Sequence, residues 1–272
     1  MNITKFILAS VLISTSVLVA MTPANAETFS TESKGVVQFE KGSGLPNPVD
    51  PTIDEPVIII PPEEEHNGTQ GLLRFDQISN LNFGTMKISG SEQTAPASYV
   101  PLNQEKTEFA PVYLEVTDER GSNQGWKVSA VADEFKAVDK ATGMAVPGAD
   151  PLKGAKISFK NSSIRNHSNI PAEELSLVTP NAVTSFTLQA DTTTDTATLI
   201  TSAENQGMGI WPTSFFDQSS GATTPNKFVK TAENQEIPTD DSVTLSVPGT
   251  TKKSEAYKYV SQISWTLADT PE

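Results

Sequence analysis

The C-terminal stretch of the chain alternates strictly. Counting back by two from Leu267 gives Trp265, Ile263, Ser261, Tyr259 and Tyr257, while the intervening positions include Thr266, Ser264, Gln262 and Lys258. Successive side chains of an extended strand point to opposite faces, so this spacing predicts a half-buried strand over residues 257–267. Residues 111–117 alternate as clearly, with Val112, Leu114 and Val116 set against Tyr113, Glu115 and Thr117. Shorter runs rich in Val, Ile, Thr and Phe predict strands at 71–75, 126–131, 155–159, 183–188, 197–201 and 242–247, with no sustained helical period between them. The polar, glycine-bearing stretch 118–125 predicts a hairpin joining 111–117 to 126–131. Many short strands with turn chemistry between them imply an all-β fold, a β-sandwich of mostly antiparallel strands with long loops. The longest loops, 161–172 and 207–226, are where binding is expected.

Before this domain the pattern changes twice. Residues 1–26 read as a secretory signal peptide: Lys5, an apolar stretch from Phe6 to Ala20, and Ala24-Asn25-Ala26 as a small-residue cleavage site. A permanent membrane helix is the weaker reading, because that stretch includes Ser10, Ser14, Thr15 and Ser16 and falls short of the roughly twenty apolar residues needed to span. Residues 27–70 are rich in proline and acid, with few core candidates, and read as an extended segment leading into a domain over 71–272. Within it, Val57-Ile58-Ile59-Ile60 interrupts the composition, either as an edge strand of the domain or as a short exposed docking segment. The chain stops just after the last strand, at Pro271-Glu272, so anchoring is expected to act through the folded domain.

Composition narrows the chemistry. There is no cysteine, hence neither disulfides nor a thiol for lipid attachment. The net charge is −14, and removing Lys5 with the leader leaves 18 basic residues against 33 acidic, or −15. That argues against nucleic acid as a partner. With only His66 and His167, one in the acidic segment and one in a loop, no histidine pair is available for a metal. No Gly-x-Ser-x-Gly elbow accompanies His167, and no Asp-x-Asp-x-Asp-Gly loop is present. The reading is therefore a non-enzyme, with no catalytic residues, no metal and no cofactor. Paired carboxylates for glycoside cleavage are the one arrangement that spacing does not exclude. The remaining candidates are aromatic. Trp126 and Trp265 either fill the space inside the domain or offer rings for sugars or a partner to stack on. Trp211, Phe215 and Phe216 are expected on an exposed loop.

Two of the three tryptophans sit in W-x-aliphatic pairs: Gly125-Trp126-Lys127-Val128, and Tyr259-Val-Ser-Gln-Ile263-Ser-Trp265-Thr-Leu267-Ala-Asp-Thr-Pro271. They resemble the proximal and distal motifs of the WxL-domain surface proteins of low-GC Gram-positive bacteria. The acidic stretch with Asp50-Pro51-Thr52, the Gly71-Leu-Leu-Arg-Phe75 opening, Leu81-Asn-Phe83-Gly84 and Asp118-Glu-Arg120-Gly121 agree with this over nearly the whole mature chain. One position departs: Val128 stands where the family pattern has leucine. The resemblance implies a short WxL protein at the cell surface, attached non-covalently to the wall through peptidoglycan. It also implies membrane-anchored WxL-interacting partners and other WxL proteins in one complex. A different class of reading is a protein-interaction subunit held by such a partner without touching glycan. Charge constrains both: walls of this kind carry anionic polymers, so a chain at −15 is held by short-range contacts, not by bulk attraction beyond a Debye length of about 8 Å.

Overall fold

The computed structural model describes residues 31–168, 170–190 and 196–269. The expected signal peptide and Pro271 lie outside the described residues. Residues 31–39 carry no regular secondary structure. From Glu40 onward the chain forms one compact unit.

That unit is mostly β, and its named strands pair antiparallel throughout. The strands are not gathered into the two facing layers of the expected sandwich. They are divided among three four-stranded sheets, a three-stranded sheet and a two-stranded ribbon. One continuous apolar cluster draws residues from all three of the larger sheets, an arrangement closer to a propeller-like ring of small sheets than to a sandwich. Many strands carry only one or two apolar residues per face, too few to clad a wide layer but enough to meet at a shared centre.

The first sheet runs Leu73–Ile78, Tyr113–Asp118, Gly209–Phe215, Ser162–Ile164. The second runs Asn181–Ala182, Ala197–Ser202, Trp126–Ala132, Ile263–Ala268. The third runs Ser185–Gln189, Lys156–Lys160, Thr239–Val247, Gln93–Ser98. A short helix, Ala172–Val178, lies just after the first of the two expected long loops.

Three local expectations are corrected. The single strand expected over 257–267 is two: Tyr257–Val260 pairs with Lys136–Asp139 in the ribbon, and Ile263–Ala268 pairs with Trp126–Ala132. The hairpin does not form: Tyr113–Asp118 and Trp126–Ala132 lie in different sheets. Gly121, Asn123 and Gly125 all take positive φ, and these left-handed turns carry the chain out of one sheet and into the next. Arg120 fastens the crossing. Its Nη2 donates to Asp118 Oδ2 at 2.8 Å and to the Gly125 carbonyl at 2.7 Å.

The third correction concerns 207–226, where Gly209–Phe215 is a central strand and not a loop. Its Pro212 is normally excluded from such a place, having no N–H to give a ladder. Here the Pro212 carbonyl accepts from the Arg165 N–H at 3.0 Å. In an antiparallel strand a residue's N and C=O point the same way, so the missing donor faces the side where Ser162–Ile164 has already ended.

The proline- and acid-rich residues 46–66 lie along the polar face of the first sheet, fastened by hydrogen bonds more than by apolar burial. The Asn47 N–H donates to Asp76 Oδ1 at 2.9 Å, and the Val49 N–H donates to the carboxyl of Glu115 at 3.1 Å. Asp50 pairs with Lys227 at 2.5 Å. Arg165 reaches the Pro51 carbonyl and Asp54. Beneath this strap Glu115 is fully buried. Burial, then the nearby Asp76, pushes its pKa well above the usual carboxylate range.

Candidate functional site

The two W-x-aliphatic motifs, far apart in sequence, are neighbours in space. Trp126–Ala132 and Ile263–Ala268 pair antiparallel, with Leu267 opposite Val128, Trp265 opposite Ala130 and Ile263 opposite Ala132. Directly opposed residues share a face, so Trp126, Val128, Trp265 and Leu267 all turn toward the same side. Trp265 and Ile263 thus each stand opposite an alanine, while Leu267 stands opposite Val128. The opposite face carries Lys127, Ser129, Ser264 and Thr266.

The proximal motif is buried to the limit. Trp126 and Val128 are fully inaccessible, and Trp126 Nε1 donates to the Gly207 carbonyl at 2.9 Å. Glycine is required on both sides of the indole. Gly207 sits at φ +75, and a Cβ there would stand 2.5 Å from Trp126 Nε1. A Cβ on Gly125, at φ +72, would stand 2.1 Å from the Ser202 carbonyl oxygen.

The distal motif lies at the sheet edge and is only half-buried across Ile263, Trp265 and Leu267. Trp265 meets Phe159 edge to face, with ring centroids 6.2 Å apart at 88°. Phe159 in turn stacks on Phe186 at 4.4 Å and meets Phe215 at 5.1 Å. An aromatic chain thus joins the motif sheet to the other two large sheets. Tyr259, on the Tyr257–Val260 strand of the ribbon, accepts the Ser254 N–H at its hydroxyl, 3.0 Å away.

Trp211, Phe215 and Phe216, expected in an exposed loop, are instead buried, at 0%, 3% and 3% relative exposure. Trp211 lies on the central strand of the first sheet, and its Nε1 donates to the Met208 carbonyl at 3.1 Å. Consecutive carbonyls, Gly207 and Met208, therefore accept the two fully buried indoles. That pairing had no signal in the sequence beyond Gly207 itself.

The match that decides the family spans almost the whole chain: a family model described as WxL domain, surface cell wall-binding, covers residues 26–271. The chain belongs to the WxL family. It is a cell-wall-binding domain of the cell surface. No curated protein and no solved structure matches it. Within the WxL pair, Val128 fills the position where the family pattern has leucine, packed without exposure between its cross-strand neighbours Ile200 and Leu267.

No group of three potential metal ligands occurs among the described residues. His167 is 1% exposed, with its ring set among the Ile53 backbone, Asp54 and Arg165. Burial first, and then the Arg165 guanidinium, lowers its pKa to about 4. An open groove beside the aromatic chain is lined by Ser158, Lys160, Asn161 and Thr184 together with the stacked Phe159 and Phe186, mixing hydroxyl, amide and ammonium groups with aromatic residues.

Proposed function

We propose that this WxL domain contacts peptidoglycan directly and without catalysis, as one component of a surface complex on a Gram-positive wall. In that complex a membrane-anchored WxL-interacting protein and other WxL proteins are its partners. The observation that carries the reading is the pairing of the two motifs on one sheet with their aromatic and aliphatic side chains turned inward. Trp126, Val128 and the inward parts of Ile263, Trp265 and Leu267 then build the scaffold, and glycan is met by what the scaffold displays. Tyr259 and Pro271 belong to the distal sequence motif in this reading.

Two features bear on this reading. His167, the one histidine within the sheet region, is sealed and held neutral, so it has no access to a substrate proton. The net charge of −14 removes bulk attraction to anionic wall polymers and leaves hydrogen bonding and ring contacts as the means of retention. The test is co-sedimentation of the purified chain with sacculi freed of protein. Retention unchanged or improved at roughly 300 mM NaCl supports direct, short-range contact. Loss of retention without added protein would instead favour an interaction subunit held by its partner, and release of soluble muropeptides would reinstate an enzyme.

A further inference from the structure

The run Val57-Ile58-Ile59-Ile60 lies within the strap, and only one of its four side chains is used inward. Ile59 packs against the core. Val57, Ile58 and Ile60 are 49%, 58% and 59% exposed. Singly exposed aliphatic residues need no explanation, but three exposed β-branched ones within four residues, on a segment flanked by Pro56, Pro61 and Pro62, do.

The segment is held rigidly. The Ile59 N–H donates to the Pro48 carbonyl at 2.9 Å, and the Asp50 N–H donates to the Val57 carbonyl at 2.9 Å. Ile60 forms a parallel bridge with Asn103. Upstream, the buried contacts of Val49 with Glu115 and of Asp50 with Lys227 pin the strap. Downstream, Gln77 Nε2 donates to the Glu65 carbonyl at 2.5 Å. An anchor of buried charges thus presents an outward aliphatic ridge whose shape is fixed in advance, which lowers the ordering cost of binding. The ridge is bordered by exposed acids: Glu55 before it and Glu63 after it, with Asp54 and Glu64 beside them already paired to Arg165 and Lys106.

We infer that Ile58 and Ile60, which share the outward face of this extended segment, with the exposed Val57 beside them, form a docking ridge for a protein partner whose surface carries an apolar groove bordered by lysine or arginine. The acidic border decides the occupant. A second copy of this chain, at −14, and an anionic membrane surface would both be repelled at that border, whereas a basic-rimmed groove is drawn to it. The inference rests on the reading of the chain as one component of a surface complex, not on glycan contact.

The chain has no cysteine, so Ile58→Cys labelled with a benzophenone maleimide places a photocrosslinker on the ridge alone. The labelled full-length chain, first shown to keep the parent's melting temperature, is irradiated on intact walls of the producing cells and, in parallel, on protein-free sacculi. The expected result is one protein adduct on intact walls only, crosslinked at an apolar peptide flanked by Lys or Arg. Excess unlabelled chain should compete it away, and chain carrying Ile58→Ser with Ile60→Ser should not. Glu55→Lys with Glu63→Lys should lower the yield about tenfold. An adduct of this chain with itself, a lipid adduct, equal competition by the serine variant, or no adduct overturns the inference. Sacculus binding by the same chain is scored separately, so failure of the ridge and failure of glycan contact are told apart.

Discussion

Two elements of this molecule are tied down in opposite ways. The WxL strands are joined through apolar surface: Trp126 sealed under Gly207, Leu267 against Val128, and Trp265 edge-on to an aromatic chain. The strap over residues 46–66 is joined through charge: Glu115, Asp76, Asp50, Arg165 and Lys227 provide most of its attachments. Apolar contact is tolerant in detail and strong in sum, whereas buried charge is all-or-nothing, since removing one member leaves its partner desolvated and unpaired. The first suits a scaffold, and the second suits an element that must sit in one register only.

If that contrast is right, the largest single loss comes from the indole at the centre of the apolar region. Trp126→Ala removes a fully buried side chain and its bond to Gly207, and is expected to cost about 3 to 5 kcal/mol. Chemical denaturation with unchanged m-value would measure it. On the charged side, Arg74→Met leaves Asp76 without its 2.7 Å partner while both side chains are nearly inaccessible. The expected cost is about 3 kcal/mol, with protease cleavage within 46–66 appearing before global unfolding. Loss of stability with no strap-specific cleavage would erase the distinction between the two regions.

Within the charged region itself, acid separates two buried groups. His167 is held neutral beside Arg165, with its pKa near 4 instead of 6.5, so unfolding gains a proton as pH falls below 6.5. Its contribution is present above that value and is lost progressively down to about pH 4, amounting to about 2 kcal/mol by pH 5. Glu115 has the opposite sign: its pKa is raised, so its contribution is kept in acid and lost as pH rises through the folded value. His167→Gln should therefore flatten the acid limb of the stability profile and leave the alkaline limb in place. An unchanged acid limb would put the titration elsewhere.

The sequence announced the apolar region far better than the charged one, and for a physical reason. Alternation of Trp265 and Leu267 with Ser264 and Thr266 is a local pattern, and so are the strands at 113–118, 126–132, 156–160 and 197–202, which lie within a residue or two of where periodicity placed them. What each strand pairs with is not local. The polar turn at 118–125 has hairpin composition, yet positive φ at Gly121, Asn123 and Gly125 sends it elsewhere. Gly209–Phe215 was hidden because Pro212 and its glycines carry loop composition, and only the early end of Ser162–Ile164 makes the proline harmless. The seating of Val49 and Asp50 left no periodic trace, because hydrogen bonds to Glu115 and Lys227 require no run of apolar residues.

Within the WxL pair itself the two tryptophans should separate as well. Trp265 is half-buried at the sheet edge, so Trp265→Ala is expected to cost about 2 kcal/mol, less than the same change at Trp126, and to leave a folded domain. Sacculus binding can then be measured on folded protein. Retained binding places recognition on the displayed surface, and binding lost at unchanged melting temperature would make Trp265 itself a contact residue.

The smallest expected effect tests the one departure from the family pattern. Val128 is inaccessible and directly opposite Leu267 and Ile200, so restoring leucine by Val128→Leu adds a methylene to a filled space and should destabilise by about 1 kcal/mol. If the cost comes from crowding across the ladder, Leu267→Val in the same chain should recover part of it. The double-mutant cycle over these two positions should then give a coupling of about 0.5 kcal/mol or more. Zero coupling would mean that valine was fitted to Ile200 on the other side, and that the two motifs, although adjacent, are not packed as a unit. A large coupling would show that the proximal and distal halves of the WxL signature are read by the fold as one cross-strand pair, with valine in the first matched to leucine in the second.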